Sequence, residues 1–192
     1  MNRRLLAAVL VAAVAALLAG AAVGRNLLSS SSRALQPQAD VVVFRDAVSG
    51  VSLEYPSDWK RIAPPGGDPD VALLATSGPS ASLLMRVSSL GLAEVTRETL
   101  PVVRKLTDDL VAEDARAQQL SAPEAIELGG LPGYRYRYRY GRGRTGGAHV
   151  HYFLFKGGRM IQLVFQAEPA ERLPEFDEVF TRIASTFRGE VR

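Results

Sequence analysis

Residues Phe44–Trp59, FRDAVSGVSLEYPSDW, constrain the fold more than any other stretch of the chain. An apolar strand ends at Asp46, a Ser49-Gly50 turn follows, and Val51, Leu53 and Tyr55 then alternate with Ser52 and Glu54. Successive side chains of a strand point to opposite faces, so this is a hairpin whose second strand buries one face. Pro56 has no N–H to give a ladder and ends the strand. Trp59, the only tryptophan, follows in a Pro-Ser-Asp turn, where one large aromatic can plug the end of a core.

The rest of the chain repeats this hairpin grammar. Val71–Thr76 and Ser82–Ser89 read as strands around Gly78-Pro79, after a loop at Pro64–Asp68. Ala125–Leu128 and Gly133–Tyr140 pair across Gly129-Gly130, and Ala148–Phe155 and Met160–Phe165 face each other across Gly157-Gly158. Two segments have helical spacing instead. Leu100, Val103, Leu106, Leu110 and Val111 form the first stripe, with Thr99 as N-cap, Pro101 in the first turn and Asp108 and Asp109 on the solvent side. Phe176, Val179, Phe180, Ile183 and Phe187 form the second, closing stripe. About eight hairpin-linked strands with two amphipathic helices predict an α+β fold, an antiparallel sheet flanked by helices.

The first 33 residues differ from the rest. Asn2-Arg3-Arg4 precedes Leu5–Gly24, a run with no charged or strongly polar residue, and Ser29–Ser32 follows as a flexible linker. Two readings stay open: a signal peptide cleaved near Ala19-Gly20-Ala21, or a retained anchor just long enough to span a bilayer. Either way the globular part is exported. The expected division is therefore 1–28 signal or anchor, 29–40 linker and 41–192 domain. The location expected is the plasma membrane, single-pass with the domain outside the cytoplasm, or the exterior if cleavage occurs.

The chain has no cysteine, so the domain holds together without disulfides and carries no lipoprotein anchor. Its basic pI is misleading. Without Arg3, Arg4, Arg25 and Arg33 the remainder has 19 basic against 20 acidic residues, which disfavours a nucleic-acid binder.

The hairpin F-x-D-x-x-x-G-V-S-L-E-Y-P-S-D-W resembles the opening of the PsbP-like family. That family includes the extrinsic photosystem II subunit, exported bacterial proteins and LpqN-type lipoproteins. The later order is similar too: a central helix, the Gly130–Gly133 turn, two long strands, a Gly-Gly hairpin and a final helix with Ile183-Ala184-Ser185-Thr186-Phe187. The resemblance covers about residues 41–188 and implies a central antiparallel sheet with helices on both sides, an α/β/α sandwich. It carries over no functional residue.

Four constellations invite chemistry. Tyr134, Tyr136, Tyr138 and Tyr140 alternate with Arg135, Arg137 and Arg139, and Arg142 and Arg144 extend the arginines into the next loop. Guanidiniums two residues apart on one strand face, about 6.6–6.8 Å, could grip an anionic partner such as lipid headgroups, cell-wall phosphate polymers or an acidic protein. They could equally be the polar side of a half-buried strand, with tyrosines packed on a helix and arginines paired to glutamates next door. Gly141–Gly146 matches G-x-G-x-x-G but leads into a predicted strand, whereas a dinucleotide site needs a helix there. His149 and His151 share a strand face, yet zinc needs at least a third ligand. Asp68-Pro69-Asp70 lacks calcium-loop spacing and reads as a solvated turn.

No nucleophile elbow, H-E-x-x-H, P-loop or cysteine nucleophile is present, so neither catalysis nor a cofactor is expected. The expectation is an exported, membrane-tethered binding or assembly module with Arg135, Arg137, Arg139, Arg142 and Arg144 as contacts for an anionic partner. The alternative is a carrier of a small apolar ligand between sheet and helices, lined by Phe176, Phe180 and Phe187.

Overall fold

A computed structural model of the chain describes residues 40–91, 94–113, 117–141 and 146–190. The segments expected as signal or anchor (1–28) and linker (29–40, except Asp40) lie outside these, as do Arg142 and Arg144. Among the described residues no helix is long and apolar enough to cross a membrane.

Strands β1 (Val41–Asp46) and β2 (Val51–Pro56) form the first hairpin, with Phe44 opposite Leu53. Val51, Leu53 and Tyr55 are buried, as the alternation requires. This hairpin is a separate two-stranded sheet. The remaining strands are β3 (Lys60–Arg61), β4 (Val71–Ser77), β5 (Ala81–Ser89), β6 (Gln118–Gln119), β7 (Glu124–Leu128), β8 (Leu131–Tyr140), β9 (Gly147–Lys156) and β10 (Arg159–Ala167). They form one antiparallel sheet in the order β3-β4-β5-β10-β9-β8-β6, with β7 also on β8. The predicted Gly-Gly hairpin joins β9 to β10, with Lys156 opposite Arg159. Two strands were not legible in the sequence. β3 and β6 are two residues each, too short to show any period.

The first helical stripe becomes a 3₁₀ turn, Leu100–Val103, that runs into α1 (Arg104–Ala112). Thr99 does not cap it. Its carbonyl accepts from Val102 N–H to close the 3₁₀ turn, and its hydroxyl accepts from Thr96 N–H at 2.8 Å. Asp108 is also not on the solvent side as expected. Tyr136 Oη donates to its Oδ1 at 2.6 Å and Arg104 Nε at 2.9 Å, which draws it toward the sheet. The closing stripe is α2 (Leu173–Ser185), with Phe187 just beyond its end and fully buried.

The chain after α2 ties the two sheets together. Ser52 and Arg188 exchange both backbone hydrogen bonds, and Gly189 N–H donates to Gly129 O at 2.9 Å. Gly129 has φ of +59°, and a Cβ there would sit 2.6 Å from the Phe187 carbonyl oxygen, so only glycine fits this crossing. Lys156 Nζ donates to three carbonyls, those of Ser49, Gly50 and Gly189, at 2.9, 3.1 and 2.5 Å. One half-buried ammonium thereby pins the hairpin turn and the C-terminal segment to the end of β9.

The sheet separates two cores. On the α2 side, Leu73, Leu83, Met85, Leu154, Leu163 and Phe165 meet Leu53, Trp59, Phe180 and Phe187. On the α1 side, Tyr134, Tyr136, Tyr138, Phe153, Phe155 and Met160 meet Leu100, Val103 and Val111. Trp59 is the predicted plug: it is buried and lies edge-on to Phe180 at 6.4 Å.

Candidate functional site

Strands β8 and β9 place every sequence-predicted candidate that the structure describes. On β8 the period of two sends the tyrosines to the α1 side and the arginines to the α2 side. Tyr134, Tyr136, Tyr138 and Tyr140 are buried, and the guanidinium of Arg104 lies 5.1 Å from the Tyr134 ring centre.

Each arginine on the other side has a carboxylate partner. Arg135 reaches Glu124, directly opposite on β7, at 2.6 Å. Arg137 reaches Asp177 on α2 at 2.8 Å, and Arg139 reaches Glu171 at 3.3 Å, in the turn before α2. The three partners come from three different elements, and only the first is a neighbouring strand. The guanidiniums run down one rim of α2, half-exposed, with acids interleaved.

The histidines face the other way, and they are buried. His149 Nδ1 lies 3.0 Å from the Tyr138 hydroxyl and its Nε2 lies 3.1 Å from Gln166 Oε1. His151 Nδ1 lies 3.3 Å from the same hydroxyl and its Nε2 lies 3.1 Å from Gln162 Oε1. The cross-strand register explains this, because Tyr138 is opposite His149, His151 is opposite Val164, and Gln162 and Gln166 flank Val164 on one face of β10. Gln166 Nε2 donates to Glu168, which orients its carbonyl oxygen toward His149. The single Tyr138 proton can serve one Nδ1 at a time, so the other imidazole must donate if both contacts are hydrogen bonds. His151 stacks on Phe153 at 3.9 Å. Burial and the neighbouring His149 push His151 down to about 3, with Gln162 opposing the shift. It is neutral at physiological pH, a core histidine with both ring nitrogens engaged.

Among the described residues no group of three or more His, Cys, Asp or Glu side chains could hold a metal ion. The Gly141–Gly146 loop joins β8 to β9 and so leads into a strand, without the helix N-terminus a pyrophosphate needs.

Two features escaped the sequence. Asp68 and Asp70 are not merely solvated: both reach the buried Arg86 on β5, at 2.9 and 3.4 Å. An acidic loop and a strand arginine 16 or more residues away carry no local signal of pairing. The second is the Tyr136–Asp108–Arg104 set. Burial opposes ionisation of Asp108, but the hydrogen bonds from Tyr136 and Arg104 outweigh it and hold the carboxyl below its ordinary value. Burial and that same carboxylate raise the Tyr136 phenol.

The space proposed for an apolar ligand is filled. Phe180 lies 5.2 Å from Phe165 and 5.7 Å from Phe176, and both Phe180 and Phe187 are core residues of the α2 side. A cavity of about 320 Å³ lies instead at the β3–β4 edge, among Arg61, Ile62, Pro64, Val71 and Leu74.

No protein-family model matches the chain, and no curated protein sequence does. Solved structures do. Cyanobacterial PsbP (CyanoP) from Synechocystis sp. PCC 6803 is 18% identical with a TM-score of 0.57, over 82% of this chain and 97% of that one. LpqN of Mycobacterium tuberculosis, involved in cell envelope biogenesis, is 13% identical with a TM-score of 0.53, over 78% and 90%. A protein of Bacteroides thetaiotaomicron VPI-5482 is 14% identical with a TM-score of 0.52, and this chain spans only 48% of it. With a large antiparallel sheet, a helix on each face and a leading hairpin bound through the C-terminal segment, the chain has the PsbP-like fold.

Proposed function

We propose that the protein is an extracytoplasmic, non-catalytic binding module, tethered by its N-terminal apolar segment, that docks a multivalent acidic partner on the arginine rim. The observation that carries this reading is the ladder Arg135–Glu124, Arg137–Asp177 and Arg139–Glu171, half-exposed along α2. Exposed ion pairs of this kind stabilise by about 0–1 kcal/mol, so their carboxylates are displaceable. A single anion gains little by displacing one. A partner that presents several carboxylates or phosphates at strand spacing replaces all three at once, with the later contacts made at high effective concentration. Arg142 and Arg144 extend the positive run along the chain.

The tether is supported by Asn2-Arg3-Arg4 before the uncharged Leu5–Gly24 run and by the serine linker after it. The absence of recognised catalytic motifs favours binding over catalysis. LpqN, with the same fold, is itself an envelope protein by its described role.

The full-length chain and its Arg135→Gln/Arg137→Gln/Arg139→Gln variant are applied to immobilised poly-L-glutamate over a salt series. Wild type should be retained at low salt and the variant several-fold less, with unchanged circular dichroism. Equal retention sinks the arginine rim as a docking surface. Fractionation of host cells tests the tether separately, since a chain found only in the soluble exported fraction removes it.

A further inference from the structure

Sheet edges offer unpaired N–H and C=O groups to any other chain, and proteins usually guard them with charge, proline or very short strands. Both edges of the large sheet are guarded. On one, β3 is only Lys60-Arg61 and Pro64 follows; on the other, β6 is two residues and β7 exposes Glu124 and Glu127. The inner edge of β2 is closed by Arg188 and by the Thr186 hydroxyl, which accepts from Glu54 N–H.

The outer edge of β1 has none of this. Ser57 N–H donates to Asp40 O and Gly50 N–H to Asp46 O, so even-numbered residues turn their backbone toward β2. By alternation Val41, Val43 and Arg45 turn theirs outward, three donors and three acceptors in a row, unpaired among the described residues. The side chains repeat the contrast. Six large apolar side chains stay exposed among the described residues, and Val41, Val42, Val43 and Val48 of this hairpin are four of them. Val41, Val42 and Val43 are consecutive, β-branched and uninterrupted by charge.

We infer that β1 is a self-association edge that pairs antiparallel with β1 of a second copy of this chain about a two-fold axis through Val43. This register puts Val43 opposite Val43 of the other copy, Val41 opposite Arg45 and Val42 opposite Phe44. It uses all three outward residues of each copy and keeps every side chain on its own face, as a perpendicular two-fold requires. Charge selects the antiparallel sense. Asp40 and Arg45 flank the valines, and antiparallel pairing brings the acidic end of one strand to the basic end of the other. A parallel pair would set like against like. The contact is small. Six residues of strand edge bury well below the roughly 1,200 Å² of a lasting interface, so the dimer is weak and follows local concentration. The inference needs neither the arginine rim nor the tether.

The chain has no cysteine, so a single introduced thiol reports without interference. Directly paired strand residues in a hydrogen-bonded site have Cα atoms about 5.5 Å apart, within disulfide reach. Full-length Val43→Cys is oxidised with copper phenanthroline in its host cells and run on a non-reducing gel beside Val48→Cys. Val48 is the more exposed of the two, at 77% against 43%, so random collision favours Val48→Cys. Val43→Cys should give a disulfide-linked homodimer and Val48→Cys little or none. Adding Val41→Lys, which guards the edge without touching the core, should abolish the Val43→Cys dimer. No dimer from Val43→Cys, equal dimer from both thiols, persistence with Val41→Lys, or a product of another protein's mass would each overturn the self-pairing assignment.

Discussion

On the α2 side of the sheet, aliphatic side chains and Phe165 meet Trp59, Phe180 and Phe187 in one apolar layer. On the α1 side, tyrosine and phenylalanine rings share the face with Arg86, His149, His151, Gln162 and Gln166, all buried. The first side is held by area removed from water, which needs volume but little direction. The second is held by directed bonds, which must all be made at once because a buried polar group without a partner costs about 1–3 kcal/mol. The α2 side should therefore fail by loss of volume. The α1 side should fail by a change of protonation. The arginine rim belongs to neither core.

The largest effect is expected on the apolar side. Phe180→Ala removes a ring in contact with Trp59, Phe165 and Phe176 and should destabilise by about 3–5 kcal/mol, measured by urea unfolding. A loss under about 1 kcal/mol would mean that α2 is not the principal cover of this face.

A smaller effect, and one that separates the faces, comes from pH. The folded pKa of His151 is depressed from 6.5 to about 3, so its contribution is present above 6.5 and is lost as pH falls toward 3. Unfolding binds the proton that folding excludes, and the slope is about 1.4 kcal/mol per pH unit, or about 2 kcal/mol between pH 7 and 5. The groups facing His151 are Tyr138, His149, Gln162 and Phe153, none of them acidic, so no carboxylate offsets the loss. His151→Gln should flatten this part of the curve, while Phe180→Ala should shift the whole curve down and keep its slope. The same slope in His151→Gln as in wild type would remove His151 as its source.

The smallest effect belongs to the rim. Arg139→Gln breaks an ion pair whose partners are 45% and 67% exposed, so the change in unfolding free energy should stay within about 0.5 kcal/mol. A cost several times larger would make the rim part of the core and weaken its case as a displaceable docking surface.

Much of this architecture was legible before any coordinates. The alternation in Val51–Tyr55 and Tyr134–Tyr140, the Gly157-Gly158 turn and the Phe176–Phe187 stripe each place side chains by period alone. What was not legible shares one property. Arg137 with Asp177, Arg86 with Asp68, and Tyr138 with His149 and His151 are pairs between elements far apart in the chain. A period says which face a residue occupies and nothing about what arrives opposite it. Asp108 was placed wrongly for that reason, since its helix position is ordinary and only Tyr136 across the gap turns it inward.

The sequence by itself determined the strands that have a period, the two long Gly-Gly hairpins, the helix faces and an α+β fold. These rest on interactions within a few residues, which spacing encodes directly. Only the tertiary structure decided that the arginines lie beside α2 among acids and that the histidines are sealed in the core. It also decided that the first hairpin stands apart as its own sheet with one edge unguarded. Those outcomes depend on register and on which layer covers which face, and both are set by packing between elements distant in the chain.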